Sequence, residues 1–434
     1  MRKEEPARVG VVSLGCSKNR VDTEYMLGLL REAGFALVTA PADADILIVN
    51  TCGFIEAARQ ESIGAILEYA AYKKTGKCKT LVVTGCLVER YREALKGELP
   101  EADILLGVRE YVKLPGLLKG QDAFVPARLG TRVLTTPPFS AYLRVADGCD
   151  NRCAYCAIPQ IRGPMVSVPM PALVDEAQRL AEDGVTELTL IAQDTSGYGM
   201  DLYGKPGLTE LMRRLTGIAR LRWLRVLYTC PDLVTPALIE AMAANEKICD
   251  YLDMPLQHIS DKTLRAMNRR GDRAHIESVL AYIRRYAPDF IVRTTMLVGF
   301  PGETEKDFDE LMAFIEEYPF DRLGAFAFSP EEGTPAARMP DQVPDDVKAD
   351  RLNRLLLKQR RVAKRQNQKR LRQELTVLVE RVDGEFALCR SYAEAPEADG
   401  FIILPRAAHL RPGVYTRCRI VKAAAYDLFG EELP

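Results

Sequence analysis

Six of the eleven cysteines in this chain form two triplets of different construction. Cys149, Cys153 and Cys156 share one short loop, DGCDNRCAYC, with the spacing Cys-x-x-x-Cys-x-x-Cys. Cys16, Cys52 and Cys86 are far apart in sequence, yet each ends an apolar run: VGVVSLGC, DILIVNTC and KTLVVTGC. An iron–sulfur cube takes four ligands, one per iron. Three thiolates therefore hold such a cube and leave one iron open to another ligand. The chain reads as having two sites of this kind.

A cube held by the compact triplet can chelate the amino and carboxylate groups of S-adenosylmethionine at its open iron. Electron transfer to the adjacent sulfonium then gives methionine and a 5′-deoxyadenosyl radical, chemistry that no side chain supplies. Tyr155, inside CAYC, is placed either to stack on the adenine or to pack inward. Gln193 and Arg293 at strand ends are candidate contacts to the methionine part, and each could equally be a structural hydrogen-bonder. Gly299 in LVGFPGET allows a tight backbone approach suited to a nucleoside. The remaining cysteines, Cys78, Cys230, Cys249, Cys389 and Cys418, read as small buried apolar side chains. Only three histidines are present (His258, His275, His409), and no second Cys-x-x-Cys pair lies beside the compact loop, which argues against a zinc ribbon.

Two series of elements must position these residues. Strand patterns at Arg8–Leu14, Asp45–Asn50, Thr80–Thr84 and Ala102–Leu106 alternate with helical ones such as Thr23–Ala33, Ile55–Tyr72 and Val88–Leu95. Such alternation implies a parallel sheet with helices on both faces. Ligands of such sheets gather beyond the carboxyl ends of the strands, which is where Cys16, Cys52 and Cys86 stand. After a Pro-, Gly- and Thr-rich connector at Pro126–Pro138, strands are expected at Ala141–Ala146, Glu187–Ala192, Trp223–Leu227, Tyr251–Met254, Phe290–Val298 and Leu323–Phe328. The helices between them are Ala172–Asp183, Leu208–Ile218, Pro236–Asn245, Asp261–Asn268, Ala274–Tyr286 and Glu305–Glu317. Six strands fall short of an eightfold barrel, so an incomplete, six-stranded βα (TIM-like) barrel is expected, with its chemistry at the strand ends. Arg351–Arg372 holds ten Lys or Arg and no acidic residue, with an apolar stripe of Leu352, Leu355, Leu356 and Val362. It reads as a solvated helix packed on the barrel, or one that also touches RNA through its basic face. The last stretch, Glu374–Pro434, has short strand patterns broken by Gly, Pro and Asp, and reads as a small antiparallel β-barrel. The fold class is thus α/β, with expected domains 1–122, 135–366 and 367–434.

Composition excludes several classes. Lys plus Arg is 59 against 60 for Asp plus Glu, so charge alone indicates no acidic partner. Apolar runs are of strand length, too short to span a bilayer, so no membrane association is expected. MRKEEPARVG is charged and leads straight into a strand, unlike a secretory signal. A cytoplasmic protein is expected, where thiols stay reduced.

The Cys-x-x-x-Cys-x-x-Cys loop at the first barrel strand resembles the signature of the radical S-adenosylmethionine superfamily. With the N-terminal triplet and the small terminal barrel, nearly the whole chain resembles the methylthiotransferase family. That resemblance implies metal ligands Cys16, Cys52 and Cys86 on an auxiliary [4Fe–4S] cluster that presents sulfur, Cys149, Cys153 and Cys156 on a second [4Fe–4S] cluster, and a terminal TRAM domain. SLGCSKNRVDTE, NTCGFIEAARQES, VTGCLVERY, LIAQDTSGYG, YLDMPLQHIS and FSPEEGTPA are similar to the branch acting on an aspartate β-carbon of ribosomal protein uS12. The alternative, a tRNA adenosine methylthiotransferase of the MiaB-like branch, usually has Gln-Met-Asn where this chain has Ser17-Lys18-Asn19. It also has Ser-Gly-Ser where this chain has His258-Ile259-Ser260. The resemblance further implies an electron donor such as flavodoxin or ferredoxin, and contact with rRNA. Two positions depart from the family pattern: Val168 replaces an arginine after Ser167, and Thr229-Cys230 replaces Tyr-Pro. Readings of another class, an electron carrier or an RNA-binding module with idle clusters, predict no 5′-deoxyadenosine and no dependence on Cys153, respectively.

Overall fold

The structure, a computed structural model, describes residues 5–120 and 131–434. Residues 126–130 of the expected connector, and the first four residues of the charged N-terminus, lie outside the described residues. By compactness the chain divides into two units. The first is Met1–Thr136 with Asp147–Asp150 and Cys156–Met165; the second comprises Pro137–Ala146, Asn151–Tyr155 and Val166–Pro434.

In the first unit five parallel strands lie in the order Ala36–Leu37, Arg8–Ser13, Ile46–Thr51, Thr80–Gly85, Ile104–Leu106. Ile46–Thr51 is buried at every position. Its alternate side chains feed two cores: Leu47 and Val49 pack with Leu81, Val83, Ile66 and Leu87, whereas Ile46 and Ile48 pack with Val9, Val82, Met26 and Leu30. A central parallel strand is therefore a continuous apolar run, which is why it is readable in the sequence. Each such side chain contributes roughly 1.5–3 kcal/mol on burial. The two-residue strand Ala36–Leu37 was not expected, being too short to show alternation. The first helix spans Ser17–Glu32 and begins well before the expected Thr23. Its opening turns bury polar residues, Lys18, Asn19, Asp22, Thr23 and Glu24, so an apolar period could not reveal them.

In the second unit six parallel strands follow one another in chain order: Ser140–Arg144, Glu187–Ile191, Trp223–Val226, Ile248–Asp253, Ile291–Val298 and Arg322–Ala327. The first and last are not paired, giving the incomplete barrel expected. The basic stretch belongs to a longer helix, Asp345–Gln368, that buries Leu355, Val362 and Ala363 and leaves Leu356 exposed. Much of its positive charge is matched: Arg351 pairs with Glu303 and Glu305, Arg354 with Glu305, and Lys358 and Arg365 with Glu316.

The terminal barrel closes through five strands, Glu374–Asp383, Phe386–Arg390, Ile402–Leu404, Leu428–Glu432 and Tyr415–Ala423, in that order around the ring. It corrects the expectation at one point, because Ile402–Leu404 and Leu428–Glu432 run parallel while the other pairings are antiparallel. Buried ions join this barrel to the parallel sheet. Arg390 forks onto Glu187 at 2.9 and 2.6 Å, Arg322 pairs with Glu394 at 3.1 Å, and Tyr251 donates to Asp399 at 2.6 Å. Among the described residues no helix is long and apolar enough to cross a membrane.

Candidate iron–sulfur sites

The dispersed triplet is assembled by three strand-to-helix turns of the first unit. Cys16 is the N-cap of helix Ser17–Glu32, Cys52 follows strand Ile46–Thr51, and Cys86 is the first residue of helix Cys86–Glu98. Gly15 and Gly85 let these turns close together. Gly15 has φ +84°, and a Cβ there would stand 2.8 Å from Cβ of Cys52; Gly85 has φ +100°, and a Cβ there would stand 2.4 Å from Oδ1 of Asn50. No other residue fits both the backbone angle and the space. Hydrogen bonds fix the turns. Asn19 Nδ2 donates to Leu14 O at 2.7 Å, Asn50 Nδ2 donates to Asn19 O at 2.9 Å, and Cys52 N donates to Ser62 Oγ at 3.0 Å.

Cys16 is exposed, Cys52 half-buried and Cys86 buried. Burial pushes the Cys52 thiol up, and pushes that of Cys86 up to about 12; the neighbouring cysteines act in the same direction. Arg162 opposes the rise at both, and it is the residue that sequence reasoning missed. It follows the compact loop, in IRG, yet packs in the first unit, with Nη2 3.5 Å from Sγ of Cys86 and 3.4 Å from Oδ1 of Asn19. Its Nη1 pairs with Asp22 at 2.8 Å and Asp147 at 3.3 Å. Three thiols at one end of a parallel sheet, two of them at helix N-termini and one against a buried cation, suit an anionic group. Thiolate ligation there must release protons on metal binding.

The compact loop is shared: Cys149 and Cys156 go with the first unit and Cys153 with the second. In the first unit Cys149 N donates to Gly163 O at 3.1 Å, and Ile158 N lies 3.4 Å from Sγ of Cys156. In the second, Ala154 N donates to Met267 O at 2.9 Å and Asn268 Nδ2 donates to Arg152 O at 2.8 Å. Arg269 Nη1 lies 3.9 Å from Sγ of Cys153, and its Nη2 donates to Pro255 O at 2.6 Å. Asn151 Nδ2 bridges Asp194 Oδ2 at 2.8 Å and Sγ of Cys230 at 3.2 Å. Arg269, in NRRGD, had no sequence signal, because its partners are a cysteine and a carbonyl remote in the chain.

The expected cofactor residues are distributed as follows. Tyr155, half-buried, packs against a cluster that includes Ala154, Met267, Phe300 and Phe328. Gly299, with φ +72°, donates its N–H to Glu303 at 2.8 Å; a Cβ there would stand 2.3 Å from Cγ of Lys348, so the close approach is made by helix Asp345–Gln368. Arg293 is paired with Asp253 at 3.3 Å and lies 4.0 Å from Asp399 of the terminal barrel. Gln193 is half-buried just past strand Glu187–Ile191, beside Asp194. Tyr155 and Phe300, next to Gly299, share one apolar cluster. Val168 is held by its backbone, accepting from Tyr198 Oη at 2.9 Å, and nothing in the structure explains the loss of arginine there. Cys230 is buried, as are Cys78, Cys249, Cys389 and Cys418.

Among the described residues no group of three His, Cys, Asp or Glu is arranged to hold a single metal ion. A cube differs from such a site, because each thiolate binds a different iron and the ligands stand further apart. An all-thiol donor set in each triplet, with an arginine beside one member of each, fits iron–sulfur clusters.

Family models match residues 8–107 (Uncharacterized protein family UPF0004), 143–315 (Radical SAM superfamily) and 373–432 (TRAM domain). Among curated proteins, the chain is 46% identical to the ribosomal protein uS12 methylthiotransferase RimO of Desulforudis audaxviator, covering 98% of this chain and 97% of that protein. It is 43% identical to that of Clostridium botulinum, again over 98% and 97%. Among solved structures, the radical S-adenosylmethionine methyltransferase TsrM from Kitasatospora setae aligns with TM-score 0.55 at 13% identity, over 77% of this chain and 74% of that one. That likeness concerns the fold. Identity sustained along the full length of both chains places this one in the RimO family of ribosomal protein uS12 methylthiotransferases.

Proposed function

We propose that this enzyme inserts a methylthio group at the β-carbon of an aspartate in ribosomal protein uS12. The observation that carries the reading is the convergence of Cys16, Cys52 and Cys86 on one end of the N-terminal sheet, in a chain that also holds the Cys149–Cys153–Cys156 loop. The proposed domains are 1–122 for the sulfur-presenting unit, 135–366 for the radical barrel and 367–434 for the TRAM barrel. Cys149, Cys153 and Cys156 would hold one [4Fe–4S] cluster and Cys16, Cys52 and Cys86 the other. When bound, these clusters and S-adenosylmethionine would supply one-electron cleavage to a radical that takes a hydrogen atom from carbon, and the sulfur to be transferred.

The chain's own residues bind and orient. Asn50, Asn19 and Ser62 fix the turns that carry the dispersed thiols. Asn151 and Arg269 hold the compact loop to the barrel through Asp194 and Pro255. Tyr155, Gln193, Arg293 and Gly299 remain candidates for S-adenosylmethionine contact, of which Arg293 would have to leave Asp253 to make one. A low-potential donor such as flavodoxin or ferredoxin would supply electrons. Exposed Arg360, Arg361, Lys364 and Lys369 are the cations of the basic helix best placed to touch rRNA.

The test is mass spectrometry of uS12 after incubation with reconstituted, reduced enzyme and S-adenosylmethionine. The expected product carries CH3S in place of hydrogen on one aspartate, located by fragmentation. Methylthio product on tRNA alone would overturn the reading.

A further inference from the structure

We propose that Arg162 is a positioning residue for the dispersed site: it places a fixed positive charge and an N–H donor on Cys86, and so sets the reduction potential of the cluster bound there. The proposal rests on the assignment of that cluster to Cys16, Cys52 and Cys86.

The arrangement is specific. The Arg162 side chain is 2% exposed, and its facing groups are Asp22, Asp147, Asn19 and Cys86. A guanidinium is a rigid fork of five donors. Here Nη1 is engaged by the two carboxylates, which leaves Nη2 aimed at Asn19 and Sγ of Cys86. The backbone of the same residue is also held: its carbonyl accepts from Arg109 Nη2 at 2.7 Å, and Ile161 packs with Cys86, Val108 and Ala157. Arg162 is therefore fixed at both ends, on a segment that begins at Cys156, a member of the other triplet. One short run of chain thus carries a ligand of the compact site and the cation of the dispersed one.

Hydrogen bonds to ligand sulfurs and local net charge set the potentials of iron–sulfur clusters. Removing Arg162 takes away an N–H···S contact and leaves Asp22 and Asp147 unneutralised. Both losses favour the oxidised cluster, so the potential must fall. Lysine keeps the charge and restores most of it.

The experiment uses the full chain with Cys149, Cys153 and Cys156 changed to Ala, so that iron reports the dispersed site alone. After anaerobic reconstitution the reduced cluster is titrated by electron paramagnetic resonance in parent, Arg162→Lys and Arg162→Gln forms. The expected result for Arg162→Gln is at least a tenfold shift of the reduction equilibrium toward the oxidised form, about 59 mV for one electron, with an altered signal. Arg162→Lys should stay within about threefold of the parent. Retained iron with an unshifted potential in Arg162→Gln overturns the proposal. If Arg162→Gln binds no iron, Asp22→Asn/Arg162→Gln, which strands no buried carboxylate at that position, is titrated under the same criteria. If the double variant also binds none, iron binding and a parent-like potential in Arg162→Lys uphold the charge requirement, and their absence refutes it. Absence of iron in the parent would instead refute the underlying ligand assignment.

Discussion

Arg390→Met should uncouple the terminal barrel from the parallel sheet, and the chain contains its own reporter of that event. Glu187, fully buried, accepts both Nη groups of Arg390 at 2.9 and 2.6 Å, a further contact from Arg225 at 3.4 Å, and the hydroxyl of Ser140 at 3.1 Å. The Arg390 charge, with its hydrogen bonds, outweighs desolvation and holds the Glu187 carboxyl down at about 2, from an ordinary 4.5. At about 1.36 kcal/mol per pH unit, that shift corresponds to roughly 3 kcal/mol. Stranding one member of a buried pair costs about 3–5 kcal/mol, which agrees. Taking a urea slope of about 2 kcal/mol per molar, the transition should move down by roughly 1.5 M. The chain has one tryptophan, Trp223 in a barrel strand, and it packs edge-on against Tyr415 of the terminal barrel at 5.0 Å between centroids. Its fluorescence therefore reads undocking directly. The sign with pH discriminates further. In the wild type Glu187 contributes fully above about 4.5, and that stability is lost only as pH falls through about 2. In Arg390→Met the carboxyl has lost its main partner and protonates at higher pH, so the deficit should shrink between pH 7 and 5. Glu187→Gln added to Arg390→Met should recover part of the loss. A midpoint shift below about 0.3 M, under 1 kcal/mol at the same slope, or a deficit unchanged by the second substitution, would refute the reasoning.

Anaerobic reconstitution should give about eight irons per chain, and replacing either cysteine triplet by alanine should leave about four; iron unchanged in either variant contradicts the ligand assignment. Gly299→Ala combines a left-handed φ with a clash at Lys348 and should cost about 2–4 kcal/mol. In thermal melts, adding Lys348→Ala should return the clash component and leave the backbone one, whereas full recovery would show that φ +72° is harmless. Asp250 is raised by desolvation and by Asp289 to about 6. Its folded-state value exceeds the unfolded one, so its contribution is present below about 3.8 and lost as pH rises through about 6. Asp250→Asn should accordingly be stabilising by about 1 kcal/mol at pH 8, by roughly half of that at pH 5 and near neutral at about pH 3, after discounting for partial solvent screening; equal effects at pH 8 and pH 3 would count against it.

Much of this architecture was legible because it is written locally. The central strand Ile46–Thr51 opens with an apolar run, and helix Glu305–Glu317 has the bounds expected of it, its start closed in the structure by a capping box of Thr304 and Asp307. The start of helix Ser17–Glu32 was hidden by buried polar residues whose partners, such as Leu14 O and Asn50, belong to other elements. The roles of Tyr155, Arg293 and Gly299 were open in the sequence for the same reason. Whether an aromatic stacks on a ligand or packs inward, or an arginine meets a carboxylate, depends on residues far along the chain, here Phe300, Asp253 and Lys348.

The sequence by itself determined the two thiolate triplets and the strand ends that carry Cys16, Cys52 and Cys86, since spacing and apolar period are local quantities. Tertiary structure alone decided what surrounds them. It set Arg162, which follows the compact loop in the chain, against Cys86 of the dispersed triplet, and it paired Glu187 of the parallel sheet with Arg390 of the terminal barrel. Buried charges need a partner, but nothing in their local sequence says which one, because the pairing is made only when packing removes the water that would otherwise solvate both.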